Sequence, residues 1–137
     1  MLVIRADLVD AMVAHARRDH PIEACGVLAG REYFGRPERH IPMCNAEGSP
    51  RFYRFDSVEQ LSVWRAMETA GEVPVVIYHS HTATEAFPSR VDVNLAAEPE
   101  AHYVLVSTRD PDRDELRSYR ISDGAVTEES VHVVAQY

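Results

Sequence analysis

Apolar residues recur at helical spacing through Leu8, Val9, Met12, Val13 and Ala16, after a short apolar start at Leu2-Val3-Ile4. The spacing predicts a first helix from Asp7, taken as its N-cap, with His20-Pro21 as the stop. Ala24 to Gly30 is a short apolar run closed by glycine, and a second run, His40 to Cys44, follows the polar stretch Arg31 to Arg39. Two strands around a loop containing Gly35 fit this pattern. Asn45 to Pro50 is rich in turn formers and Arg51 to Phe55 is basic and aromatic. Asp56 or Ser57 then caps a second helix carrying Gln60, Leu61, Trp64, Ala66 and Met67, which ends near Gly71. Trp64 and Met67, three residues apart, read as core.

Val73 to Tyr78 is β-branched and apolar at almost every position, the pattern of a strand covered on both faces, and it leads directly into His79-Ser80-His81. After a loop from Thr82 to Pro88, Ser89 opens a short helix over Val91 to Glu98 that Pro99 stops. His102 to Ser107 and Glu115 to Ile121 read as strands, Ser122-Asp123-Gly124 as a tight turn, and Ala125 to Val134 as the last strand. Helices interleaved with mostly antiparallel strands make an α/β (α+β) fold, a mixed sheet flanked by helices. With 137 residues, 45% of them hydrophobic, the chain fits one domain spanning residues 1–137.

Composition narrows the chemistry. All 14 basic residues are arginine, so mechanisms that need a lysine are excluded: Schiff-base catalysis, a Walker-type phosphate lysine, a Ser-Lys pair. The 22 acidic residues give a net charge of −8 with no basic stripe, which argues against nucleic acid and anionic membrane as partners. No apolar stretch approaches the roughly 20 residues of a membrane span, and the expectation is a soluble, non-exported, cytoplasmic protein. Cys25 and Cys44 are two thiols on the arms of the predicted hairpin, where free thiols are favoured over a bridge in a reducing compartment.

His79 and His81 are spaced i, i+2 at a strand end, so both imidazoles leave one face and can reach one ion. Alone, such a pair is more often incidental than ligating. Asp92 follows at the third position of the helix that Ser89 opens, and Ser89-Arg90-Val91-Asp92 also has the form of a capping box, which needs no metal. The two readings are compatible. Two imidazoles and one carboxylate leave one open place in a tetrahedral zinc shell, the composition of a catalytic site, where the pKa of the ion's water falls toward about 7. A carboxylate outside the shell must then take and return a proton. Glu23, an acidic residue bordering an apolar run, is a candidate, although loop glutamates are commonly just solvated.

Glu23, then His79-Ser80-His81, seven residues, Ser89, two residues and Asp92 resemble in every defining position the JAMM signature of the MPN+ zinc metalloproteases. The order of helix, hairpin, second helix and motif strand resembles that domain too. Within the family the chain is most similar to the small prokaryotic forms without insertions, and among them to the actinobacterial Mec type. The resemblance implies one Zn2+ per chain on His79, His81 and Asp92, Glu23 as general base and then general acid, and Ser89 donating to the developing oxyanion. It implies cleavage of the amide that joins a C-terminal amino acid, cysteine first, to the Gly-Gly tail of a ubiquitin-like sulfur-carrier protein in cysteine biosynthesis. The absence of extra residues between His81 and Asp92 argues against polyubiquitin as substrate. Thr82 stands where the family commonly has proline, which bears on the rigidity of the following loop.

Two alternatives stay open: the same chemistry on another ubiquitin-like precursor or conjugate, and a non-catalytic MPN scaffold. A homo-oligomer is compatible with the sequence. Arg54 and Arg90 are candidates to meet a substrate carboxylate. Phe52, Tyr53 and Phe55 read as packing beside a helix. His15, His20, His40, His102 and His132 are assigned no role, with His102 the one placed to support the site.

Overall fold

The computed structural model describes residues 1–137. Strand β1 (Leu2–Arg5) runs straight into helix α1 (Ala6–Asp19), which leaves Arg5 in the cap position with no side-chain cap bond. Asp7 is therefore not the N-cap. It sits in the first turn with its carboxylate on the Arg5 guanidinium, 3.0 Å away. The hairpin follows as β2 (Cys25–Arg31) and β3 (Arg39–Met43), then α2 (Ser57–Ala70) and β4 (Glu72–His81). Asp56 caps α2 by accepting from Glu59 N–H at 2.9 Å, and Gly71, in the left-handed conformation at φ 70°, closes it.

A short α3 (Arg90–Leu95) precedes β5 (His102–Ser107) and β6 (Glu115–Ser122). The stretch predicted as one last strand is two. Ser130 separates β7 (Ala125–Glu129) from β8 (Val131–Val134), and they join different sheets. The main sheet has the order β3-β2-β4-β5-β6-β7, antiparallel except for the β4–β5 pair, and β1 and β8 form a separate parallel pair. No helix is long and apolar enough to cross a membrane.

The main sheet is covered on both faces, as the unbroken apolar run in β4 requires. One core holds Val27, Met67, Ile77, Tyr103, Leu105 and Tyr119, with α2 packed against it. The other holds Leu2, Ile4, Leu8, Met12, Tyr78 and Val104, with α1 and β1 over it. Trp64 is only partly buried, unlike Met67, and its indole N–H donates to the Glu98 carboxylate at 3.2 Å. Both cysteines are free, Cys25 buried and Cys44 exposed.

β4 lies in the middle of the sheet, hydrogen-bonded to β2 on one side and β5 on the other. Side chains alternate along it, so Ile77, His79 and His81 share the face of the α2 core while Tyr78 points into the α1 core. His79 and His81 thus emerge at the end of an interior strand paired on both sides.

Candidate active site

The five residues singled out in the sequence meet at the C-terminal end of β4. His79 and His81 are nearly fully buried there, and their Nε2 atoms lie 3.2 Å apart. Asp92, buried on α3, places Oδ2 at 3.1 Å from each of them. His81 Nδ1 is 3.0 Å from the Glu85 carbonyl, which only an N–H can satisfy. That contact puts a proton on Nδ1, so the neutral ring would present its Nε2 lone pair to an ion, and without an ion a second proton on Nε2 donates to Asp92. A proton on an imidazole satisfies these contacts, and the same three atoms are also spaced to share a cation. The spacing is near the ligand–ligand edge of about 3.3 Å in a tetrahedral shell with bonds of about 2.0 Å.

Burial alone would raise the Asp92 carboxyl, but hydrogen bonds from His79 and His81 and from Ser89 N–H outweigh it and hold the acid well below the usual carboxylate range. Burial drives the His79 imidazole down. For His81 the same burial is outweighed by its bonds to Asp92 and the Glu85 carbonyl, so its net shift is upward.

Glu23 follows the turn at His20 and Pro21 between α1 and β2, is 3% exposed, and is held in place by its neighbours. Its N–H donates to Ser49 O at 2.9 Å, and the next residue, Ala24, is tied twice to β4: Ala24 N–H donates to Ser80 Oγ at 2.8 Å and Ser80 N–H to Ala24 O at 2.9 Å. A ligand atom from each of Glu23, His79 and His81 falls within 4.8 Å of the others. Glu23 Oε1 is buried with no hydrogen-bond partner, an orphaned polar atom aimed at the cluster. Burial pushes this carboxyl up to about 7; the nearby His81 opposes the shift and Asp92 adds to it.

Ser89 and Asp92 make the expected capping box: Asp92 N–H donates to Ser89 Oγ at 3.1 Å and Ser89 N–H donates to Asp92 Oδ2 at 2.8 Å. The cap uses a lone pair of the hydroxyl, so the Ser89 O–H hydrogen stays uncommitted. Thr82, in the place of the proline, is 8% exposed and donates Oγ1–H to Pro50 O at 3.0 Å. The loop after His81 is pinned by a side-chain bond rather than by a ring.

The structure adds contacts that the sequence reading missed. Tyr53, expected only to pack beside a helix, stacks on the His79 ring with centroids 4.3 Å apart. It also forms one wall of a cleft of about 240 Å³ that Phe55, Trp64, Ile77, Leu95 and Tyr103 help line. Asn45 joins Glu23 to the same loop through its amide. The arginines and His102 do not enter the cluster. Arg54 is paired with Glu47 at 2.7 Å, Arg90 is exposed, and His102 is bound to Glu129 at 2.6 Å.

The family described as prokaryotic homologs of the JAB domain matches residues 5–122. A CysO-cysteine peptidase of Mycobacterium tuberculosis is 81% identical over 137 residues, 100% of this chain and 94% of that one. A desampylase of Haloferax volcanii is 36% identical over 111 residues, covering 77% of this chain and 80% of its own. The solution structure of a protein from Desulfitobacterium hafniense superposes with a TM-score of 0.86 at 34% identity, covering 99% of this chain and 94% of that one.

Proposed function

The chain belongs to the prokaryotic JAB (MPN) domain family, and from that premise we propose that it is a zinc-dependent peptidase. Its substrate is the amide joining a C-terminal amino acid, cysteine first, to the Gly-Gly tail of a ubiquitin-like sulfur carrier. The name of the 81% identical relative, a CysO-cysteine peptidase, supports the peptide-bond hydrolase and its tail substrate.

One observation carries the assignment of roles: Asp92 Oδ2 stands 3.1 Å from both Nε2 atoms, whereas Glu23 shares only a 4.8 Å neighbourhood with the histidines, and the two carboxyls are shifted in opposite directions. Asp92 is held ionised beside both imidazoles, as a metal ligand must be. Glu23 is pushed up to about 7, where a proton is taken and released at neutral pH. His79, His81 and Asp92 would therefore hold the ion, and Glu23, although its oxygen also comes within ligating distance of the histidines, is the proton carrier. The ion, when bound, supplies a Lewis acid that makes water acidic and polarises the scissile carbonyl.

The remaining work belongs to the chain. Glu23 takes the proton of the attacking water as its oxygen bonds to the carbonyl carbon. The free O–H of Ser89 donates to the oxygen on which negative charge develops, a contact worth about 2.7 to 4 kcal/mol in comparable sites. Glu23 then passes the proton to the amine nitrogen as the C–N bond breaks, leaving a Gly-Gly carboxylate and a free amino acid. Tyr53 keeps the His79 ring oriented and shields one side of the cluster from water.

The test is the intact mass of a carrier ending in Gly-Gly-Cys after incubation with zinc-loaded protein, with Glu23→Gln and chelated protein as controls. Loss of one cysteine residue with the active protein alone is the expected result. An unchanged mass, with one zinc per chain measured in the same preparation, would reject this substrate. The likeness to a desampylase favours an isopeptide-linked conjugate as the second substrate to assay.

A further inference from the structure

Residues 44–56, between β3 and α2, form a loop that touches the cluster at His79 and Glu23 and the segment beside it at Thr82. Tyr53 stacks on His79, Pro50 O accepts from Thr82, and Ser49 O accepts from the Glu23 N–H. A bridge between Asn45 and Phe55 and a bond from Ala46 N–H to Arg54 O at 2.8 Å close the loop at its base. Inside it, the Asn45 amide is fully used. Its Nδ2 donates to Glu23 O at 3.0 Å and to Phe52 O at 3.1 Å, and its Oδ1 accepts from Glu47 N–H at 3.0 Å and Arg54 N–H at 3.3 Å. An asparagine amide has two N–H donors and an oxygen with two lone pairs, and all four are taken here. Two carbonyls on one side and two N–H groups on the other also fix which end is nitrogen.

We propose that Asn45 is a positioning residue: it locks the loop and couples it to the backbone of Glu23, and so sets where the Glu23 carboxyl stands relative to His79. This rests on the peptidase reading above. Glu23 belongs to no helix or strand, so nothing regular in the fold holds its peptide groups. Its carbonyl is held by Asn45 itself, and its N–H by Ser49 in the loop that Asn45 organises. Ala24 is secured independently, by Ser80 on β4. The chain is therefore pinned from the sheet just after Glu23 and from the loop at Glu23, and only the second hold depends on Asn45. A displacement of about 1 Å in a catalytic group costs on the order of a hundredfold in rate.

Two measurements test this on Asn45→Ala and on the milder Asn45→Ser. Backbone amide exchange on the metal-free protein reads the positioning without any activity. In Asn45→Ala the Glu23 amide exchanges at least tenfold faster while the Ala24 amide stays within threefold of the parent. Equal acceleration of both amides, or of neither, overturns the inference. Kinetics on the zinc-loaded protein read its consequence: kcat falls about 10- to 100-fold with KM within threefold, Asn45→Ser lying between parent and Asn45→Ala. In a Glu23→Gln background, where no base is left to position, Asn45→Ala lowers the residual rate less than twofold. The same factor in both backgrounds would overturn the proposal. A parent protein that cleaves neither the tail nor an isopeptide-linked conjugate would instead reject the peptidase reading, and the exchange measurement would still decide the role of Asn45.

Discussion

Replacing Glu23 by glutamine should make the metal-free protein more stable at neutral and alkaline pH while removing its activity. Glu23 is 3% exposed, its Oε1 has no partner, and burial pushes its carboxyl from 4.5 up to about 7. A folded-state pKa above the unfolded one means the native protein binds the proton more tightly. The penalty for holding this group is absent below pH 4.5, grows between pH 4.5 and 7, and is complete above about pH 7. The gap between 4.5 and about 7, at about 1.4 kcal/mol per pH unit, amounts to about 3 kcal/mol. Glutamine has the same shape and no charge, but its amide also lacks a partner, which returns about 1 kcal/mol of the gain. A net stabilisation of about 2 kcal/mol at pH 8 is expected, or about 6 °C in Tm for a chain of this size. Thermal unfolding of chelated parent and variant from pH 4.5 to 8.5, followed by circular dichroism, measures it. The difference should be near zero or slightly negative at the acid end and rise through neutrality. A difference that does not change with pH, or a variant less stable at pH 8, would refute the reasoning. In the loaded protein the same substitution should lower kcat by about 10²- to 10⁴-fold, the range of general acid–base catalysis.

Other predictions follow from single contacts. Ser89→Ala removes a helix cap and the uncommitted O–H together: stability should fall by about 1 kcal/mol in denaturant unfolding, but the rate by at least a hundredfold, and a rate loss no larger than the stability loss explains would remove Ser89 from the chemistry. Thr82→Val, which keeps the shape and breaks the bond to Pro50 O, should cost about 1 kcal/mol in the same measurement. Gly26→Ala should cost about 2 to 3 kcal/mol, because the new Cβ would stand 2.5 Å from Tyr78 Oη and push it off its bonds to His15 and His40. Zinc at a hundredfold above its Kd should raise the stability of the chelated protein by about 2.7 kcal/mol, a gain that His79→Ala should abolish in thermal unfolding.

The cluster was legible as a whole only through its resemblance to a known signature, while two of its parts also rest on short-range regularities. The i, i+2 spacing of His79 and His81 needs only a strand, and the helix opened by Ser89 turns Asp92 toward that strand's end. That β4 is covered on both faces was implied by its apolar run. What escaped notice depends on contacts between distant parts of the chain. Asn45 sits in a turn-rich stretch where asparagine is ordinary, and its role arises from a carbonyl 22 residues earlier. Tyr53 is one of three aromatic residues among arginines, and nothing in that pattern tells which ring meets His79, 26 residues on. Likewise the break at Ser130 has no punctuation in the sequence: β7 and β8 differ in partner, not in character. Asp7 failed as a cap because β1 continues into α1 without a turn, which moves the helix start back to Ala6.

One oxygen of Asp92 serves two structures at once. Oδ2 accepts the N–H of Ser89, the cap residue of α3, and also stands against both imidazoles. The helix therefore cannot fray at its N-terminus without taking the third donor away from the histidines. A nascent chain in which β4 has formed but α3 has not docked offers an ion two nitrogens and no shared carboxylate, a weak chelate. On the proposed reading, strong capture of an ion would have to wait for the closing of the 81–92 segment, so a loaded protein would also be one whose tertiary structure has been completed there. On that reading, this shared atom would make metal acquisition a checkpoint on folding and would keep hydrolytic power out of partly built chains.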